Sequence, residues 1–195
     1  MTSEPQIHFD TRASWRAWLE EHHTTASGVW LVTWKSRTGR PTIPYDEAVE
    51  EALCFGWIDG RAARLDDERT MLRFSPRRPG GMWARSNRER VARLEAAGLM
   101  TEAGRQVVDA ARADGSWTRF EAVEAMVVPD DLALALAAKP GAREHFDAYA
   151  ATRRKGVLGW ITLAKRPETR AARIARAVDV VERGDNPTFL WQRSE

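Results

Sequence analysis

Between Trp57 and Arg90 the chain collects side chains suited to gripping a polar or negatively charged molecule: Trp57, Asp59, Arg61, Arg73, Arg77, Arg78, Trp83, Ser86, Asn87 and Arg90. Arginine presents a planar fork of donors that matches carboxylate and phosphate. The stretch Ser75-Pro76-Arg77-Arg78-Pro79-Gly80-Gly81 reads as a loop, because its prolines and glycines suit neither a helix nor an inner strand. It feeds the start of a helix, where unpaired N–H groups and the positive dipole end favour an anion. Two readings stand: a solvated basic loop, or an anion site in which at least two of Arg73, Arg77 and Arg78 converge near Trp83 and Ser86. Strand alternation puts Trp57, Asp59 and Arg61 on one face, with Asp59 and Arg61 about 6–7 Å apart. They form either an ion pair steadying the sheet or the floor of a pocket. Trp83, Asn87, Val91 and Leu94 fall at helical spacing, which sets Asn87 on an apolar face. A buried amide left unsatisfied costs ~1–3 kcal/mol, so Asn87 should be largely buried and bonded to the 75–81 loop, or to a ligand.

The first functional reading is a protein that binds a small anionic or polar molecule in this Arg/Trp/Asn pocket. An alternative is an enzyme in the same place, with Asp59 as acid/base and the arginine loop stabilising developing negative charge. A third is nucleic-acid contact through Arg166, Arg170, Arg173 and Arg176 on a C-terminal helix; Glu168, Asp179 and Glu182 dilute that stripe, and nucleic acid is not the expected partner. Asp46, Glu47, Glu50 and Glu51 share a helix and make either a solvated face or a set of oxygen ligands for a metal. Cys54 follows those acids with no cation in its own helix, so a packed, unreactive thiol is expected. Only His8, His22, His23 and His145 are present, in no zinc or haem spacing, and no nucleotide-binding glycine motif occurs. Neither metal nor cofactor is expected.

The elements that must position these residues follow from periodicity. Thr11 to His22 reads as a helix capped by Asp10, and Val29 to Lys35 as a covered strand. Tyr45, Ala48, Val49, Ala52 and Leu53 make one apolar stripe, with Pro44 in the first turn and Gly56 at the stop. Residues 57–65 and 70–74 read as a hairpin turning at Asp66-Asp67-Glu68. Helices are expected at 83–97 and 101–114. Beyond the seam at Gly115-Ser116-Trp117 only helices are expected, at 130–138, 141–152, 156–165 and 167–183. The fold class is α+β: an antiparallel sheet with helices in residues 1–115, then a helical region over 116–195.

A hydrophobic share of 43% supports a sizeable core, and 30% charged residues suit a water-facing surface. No apolar run reaches the ~20 residues of a membrane span, and the N-terminus lacks a basic start with an apolar stretch. With one cysteine and so no internal disulfide, a cytoplasmic location without membrane insertion is expected. Net charge is +2, unevenly spread: residues 1–60 hold five Lys/Arg against nine Asp/Glu, residues 61–93 ten against four. Oligomeric state is left open.

Three runs resemble a known group. They are Tyr45-Asp46-Glu47-Ala48-Val49-Glu50-Glu51-Ala52-Leu53-Cys54-Phe55-Gly56-Trp57-Ile58-Asp59-Gly60, then Phe74-Ser75-Pro76-Arg77-Arg78-Pro79 leading to Trp83 and Asn87, and Ala164-Lys165-Arg166-Pro167-Glu168-Thr169-Arg170. In order and over nearly the whole chain, they resemble the YdeI/OmpD-associated, or bacteriocin-protection, family. The resemblance implies a YjbR/frataxin-like body followed by a helical region, and a role in protection or stress response. It brings no catalytic residues and no iron. Where many relatives have a serine before the tryptophan, this chain reads Gly81-Met82-Trp83.

Overall fold

Short-range caps and one β-bulge decide how the first part of the chain is built, as seen in a computed structural model that describes residues 4–191. The chain divides into two units between Trp117 and Thr118. In the first unit the order is β1 (Gln6–His8), α1 (Arg12–His22), β2 (Val29–Trp34), α2 (Tyr45–Cys54), β3 (Trp57–Arg64), β4 (Arg69–Pro76), α3 (Arg85–Ala96) and α4 (Glu102–Ala113). Thr11, not Asp10, caps α1: its hydroxyl accepts from the Ser14 N–H while the Ser14 hydroxyl accepts from the Thr11 N–H, a reciprocal box. At the other end of α2, Thr101 gives both its N–H and its hydroxyl to the Cys54 carbonyl, at 3.1 and 2.6 Å. That approach is so close that a Cβ on Gly104 would overlap the Cys54 carbonyl oxygen. Glycine here holds α4 against the end of α2.

The sheet runs β1-β2-β4-β3 and is mixed rather than antiparallel throughout. The departure is β1, three residues too short to show a pattern, which pairs parallel to β2. β2 and β3 each pair antiparallel with β4. Val29 lies opposite Phe74, and Leu31 opposite Leu72; with Trp57 they turn one face towards Trp15 and Leu19 of α1 and Val49, Ala52 and Leu53 of α2. Trp15 meets Phe74 at 5.3 Å between ring centres and gives its N–H to the Ala48 carbonyl. Ser75 and Pro76 extend β4 instead of joining the loop, and α3 begins two residues later than expected.

The hairpin contains the correction with most bearing on the site. Asp59 pairs with Phe74 and Ala62 with Leu72, so Gly60 and Arg61 together face Arg73. This bulge breaks the alternation, since one extra residue moves every later side chain to the other face. Arg61 therefore leaves the face shared by Trp57 and Asp59 and lies over the Trp30 ring, 5.3 Å from its centre.

The second unit is helical: α5 (Glu121–Glu124), α6 (Asp130–Ala137), α7 (Ala142–Ala148), α8 (Ala151–Thr162), α9 (Pro167–Glu182) and a final 3-10 turn, Pro187–Leu190. Leu132, Leu136, Phe146, Leu158, Ile161, Ile174 and Val178 form its core. The helix expected over 141–152 is cut at Tyr149, which turns extended and donates its hydroxyl to the Asp185 carbonyl. Among the described residues no helix is long and apolar enough to cross a membrane.

Candidate functional site

Four elements of the first unit bring one polar cluster together. Arg77 leaves β4 with its N–H held by the Gly56 carbonyl at 2.9 Å. Its guanidinium lies 3.6 Å from the centre of the Trp83 ring and donates to the Met82 carbonyl. Trp83 is 3% exposed and packs against Trp117. One nitrogen of this guanidinium, Nη1, is buried and has no hydrogen-bond partner among the described residues. Burial pushes Arg77 down to about 10, opposed by the nearby Asp59 carboxylate, so it remains a cation at neutral pH.

Asp59, on β3, accepts the Tyr45 hydroxyl at 2.9 Å. Burial first, and then this carboxylate, push the Tyr45 phenol up to about 12, which keeps it a neutral donor. In α3, Arg90 gives Nη1 to the Asn87 side-chain oxygen at 2.9 Å and Nη2 to Asp46, with Tyr45 beneath it at 6.0 Å. Two carboxylates and two guanidiniums thus alternate across the cluster. Arg90 has partners for both terminal nitrogens; Arg77 has one for Nη2 and none for Nη1 among the described residues.

Asp59, Arg77, Trp83, Asn87 and Arg90 come together, but the other expected residues lie elsewhere. Trp57 is sealed in the core with its N–H on the His23 carbonyl, and Arg61 is on the opposite sheet face. Arg73, which pairs in register with outward-facing Trp30, is locked to Glu4 at 2.7 Å, whose carboxyl it holds below its usual range. Arg78 and Ser86 are exposed; Arg78 borders a small cavity of about 70 Å³ beside Arg77 and Trp83. The expected trio of arginines is therefore not formed, because the strand fixes Arg73 outward and the loop turns Arg78 to solvent. Asn87 is half-buried and serves Arg90 instead of the 75–81 loop. Sequence reasoning missed Tyr45 and Asp46. The available signal was a hydroxyl heading an apolar stripe, since a phenol beside a strand needs a hydrogen-bond partner.

The acidic helix α2 is a solvated face only in part: the Asp46 side chain is 72% exposed, whereas Glu50 and Glu51 turn into arginine pairs. Glu51 is 4% exposed and accepts from Arg12 Nε at 2.5 Å and Arg16 Nη1 at 2.7 Å, while Glu50 meets Arg12 and Arg93. Asp46, Glu50 and Glu51 are each matched by an arginine from α1 or α3. No group of acids, histidines or cysteine able to hold a metal occurs among the described residues. Cys54 is buried beside this network, and burial followed by Glu51 pushes its thiol up to about 11 against the pull of Arg16.

Residues 7–107 match a family profile described as a domain of unknown function, DUF8412. The chain belongs to the DUF8412 family. Residues 125–184 match a second profile, "Bacteriocin-protection, YdeI or OmpD-Associated". That is the family the three runs resemble, although only Ala164 to Arg170 falls inside its match; the other two runs lie in the DUF8412 segment. The whole polar cluster also belongs to the DUF8412 segment. No curated protein and no solved structure shows significant similarity to the chain.

Proposed function

We propose that the first unit is a cytoplasmic binding module for a small polar molecule with an anionic end, and that Arg77 is its anchor. The carrying observation is the Arg77 guanidinium, desolvated over Trp83 with one nitrogen unpartnered. Leaving such a donor unpaired is costly, and an incoming carboxylate or phosphate oxygen recovers that cost. Asp59, fixed by Tyr45, supplies an acceptor close by, so a ligand carrying both a donor and an anionic group is favoured. A lone, buried, free cysteine agrees with a reducing compartment. The bacteriocin-protection segment supports a protective or stress-associated role for the whole chain. The arrangement of helices on one face of the first unit's sheet is consistent with a YjbR/frataxin-like body.

Calorimetric titration with inorganic phosphate and with small carboxylates tests the anchor. A charge-assisted hydrogen bond contributes ~1.5–3 kcal/mol, so Arg77→Ala should bind about tenfold more weakly or worse. Arg78→Ala, which changes an exposed neighbour in the same loop, should bind like the native chain. Equal affinities for the native protein and Arg77→Ala would remove the anchor.

A further inference from the structure

We infer that a second site, separate from Arg77, lies between the inner face of the sheet and the start of α2, and takes a neutral, largely apolar small molecule bearing one hydrogen-bonding group. The cleft measures about 600 Å³, within the range of pockets that enclose small ligands. Leu31 and Leu72 from facing strands form its floor, and Ala62, Ile43 and Ala48 its sides. The fold leaves it open for a visible reason. The apolar cluster under α1 and α2 takes in Val29, Leu31, Phe74 and Trp57 but ends before the polar pair Thr33 and Thr70.

The chemistry of the lining selects the ligand class. Lys35 and Arg64 border the cleft, yet both are committed to the β3–β4 turn. Lys35 Nζ donates to the Asp66 and Asp67 carbonyls at 3.0 and 2.8 Å, and Arg64 binds the Asp66 carbonyl and the Asp67 carboxylate. Tyr45 is spent on Asp59. The single Tyr45 proton is used, and both cations are drawn towards the β3–β4 turn, where Asp67 offsets the Arg64 charge. Thr33 and Thr70, opposite each other across the strands, share one hydrogen bond of 3.1 Å. Two hydroxyls carry two protons, and only one lies between them, so the second is offered to an acceptor on a ligand. Apolar walls with one polar contact on the floor favour a neutral ligand whose desolvation is cheap.

N-phenyl-1-naphthylamine, a neutral apolar fluorophore, probes the full chain directly. The expected result is saturable binding of one dye per chain. Ala62→Trp, placed at an exposed lining position, should weaken it by about tenfold or more. Arg77→Ala, and Leu134→Ser at a large apolar side chain 73% exposed on α6, should leave it unchanged; an intact response in Arg77→Ala separates this site from the anion anchor. Should Ala62→Trp not fold, displacement from the native chain decides: 2-naphthol should compete at about tenfold lower concentration than 2-naphthoate. Undiminished binding to folded Ala62→Trp, loss of binding in Leu134→Ser, or stronger competition by the carboxylate would overturn the assignment. So would native chains that self-associate and exclude the dye, because a second copy would then be the occupant.

Discussion

Glu51 in α2 and Val178 in α9 are buried to nearly the same degree, and the two units treat that position in opposite ways. The first unit places a carboxylate there and surrounds it with Arg12 and Arg16 from α1. The second unit fills it with an aliphatic side chain and sets its pairs at the edge of the core, where Arg170 grips Asp131, itself about half exposed, and Arg173 donates to the Trp160 carbonyl. Buried charge must be matched in advance or it destabilises strongly, whereas surface pairs contribute little. The first unit therefore carries a set of fixed, directional groups from which a recognition site can be built. The second is held by packing.

Changes in each unit sharpen that contrast. Thiol labelling of Cys54 carries the largest effect. With the side chain buried and its pKa pushed up to about 11, labelling at pH 8 should be about a hundredfold or more slower in the native protein than in urea. Rapid stoichiometric labelling without denaturant would mean that this part of the first unit opens readily. Glu51→Ala comes next. It removes the buried carboxylate that two guanidiniums share, leaving Arg12 to Glu50 and Arg16 to Glu20, and because both are about a third exposed the cost should be about 2–3 kcal/mol in urea unfolding. Gly104→Ala forces a methyl group against the Cys54 carbonyl and should cost about 1–3 kcal/mol by the same measurement. In the second unit, Arg170→Ala removes a bidentate but solvent-facing pair and should cost under about 1 kcal/mol. If Arg170→Ala matched Glu51→Ala, the contrast between the units would fail.

The sequence showed α2 and the β3–β4 hairpin because both have a clear apolar period and clear turn residues. It showed Arg77, Trp83 and Asn87 because a rigid loop leads directly into a helix. What it concealed had specific causes. The bulge at Gly60-Arg61 has no signature beyond one glycine, yet it sends Arg61 to the far face of the sheet. Arg73 looked like part of the loop cluster, but strand alternation and Glu4, nearly seventy residues away in sequence, take it elsewhere. Glu51 sits one turn from Glu47 on the polar side of α2, and only the packing of α1 across that side buries it. Long-range partners of this kind leave no local pattern. The placement of Thr11 instead of Asp10 at the cap was a choice between adjacent residues that both suit the position.

NMR of the arginine Nε–Hε groups during titration with inorganic phosphate shows, residue by residue, whether Arg77 anchors an anion. The Arg77 signal should shift saturably, while those of Arg73, held by Glu4, and Arg90, held by Asp46, stay in place. An unmoved Arg77 signal, with exposed arginines drifting together and without saturation, would contradict the claim.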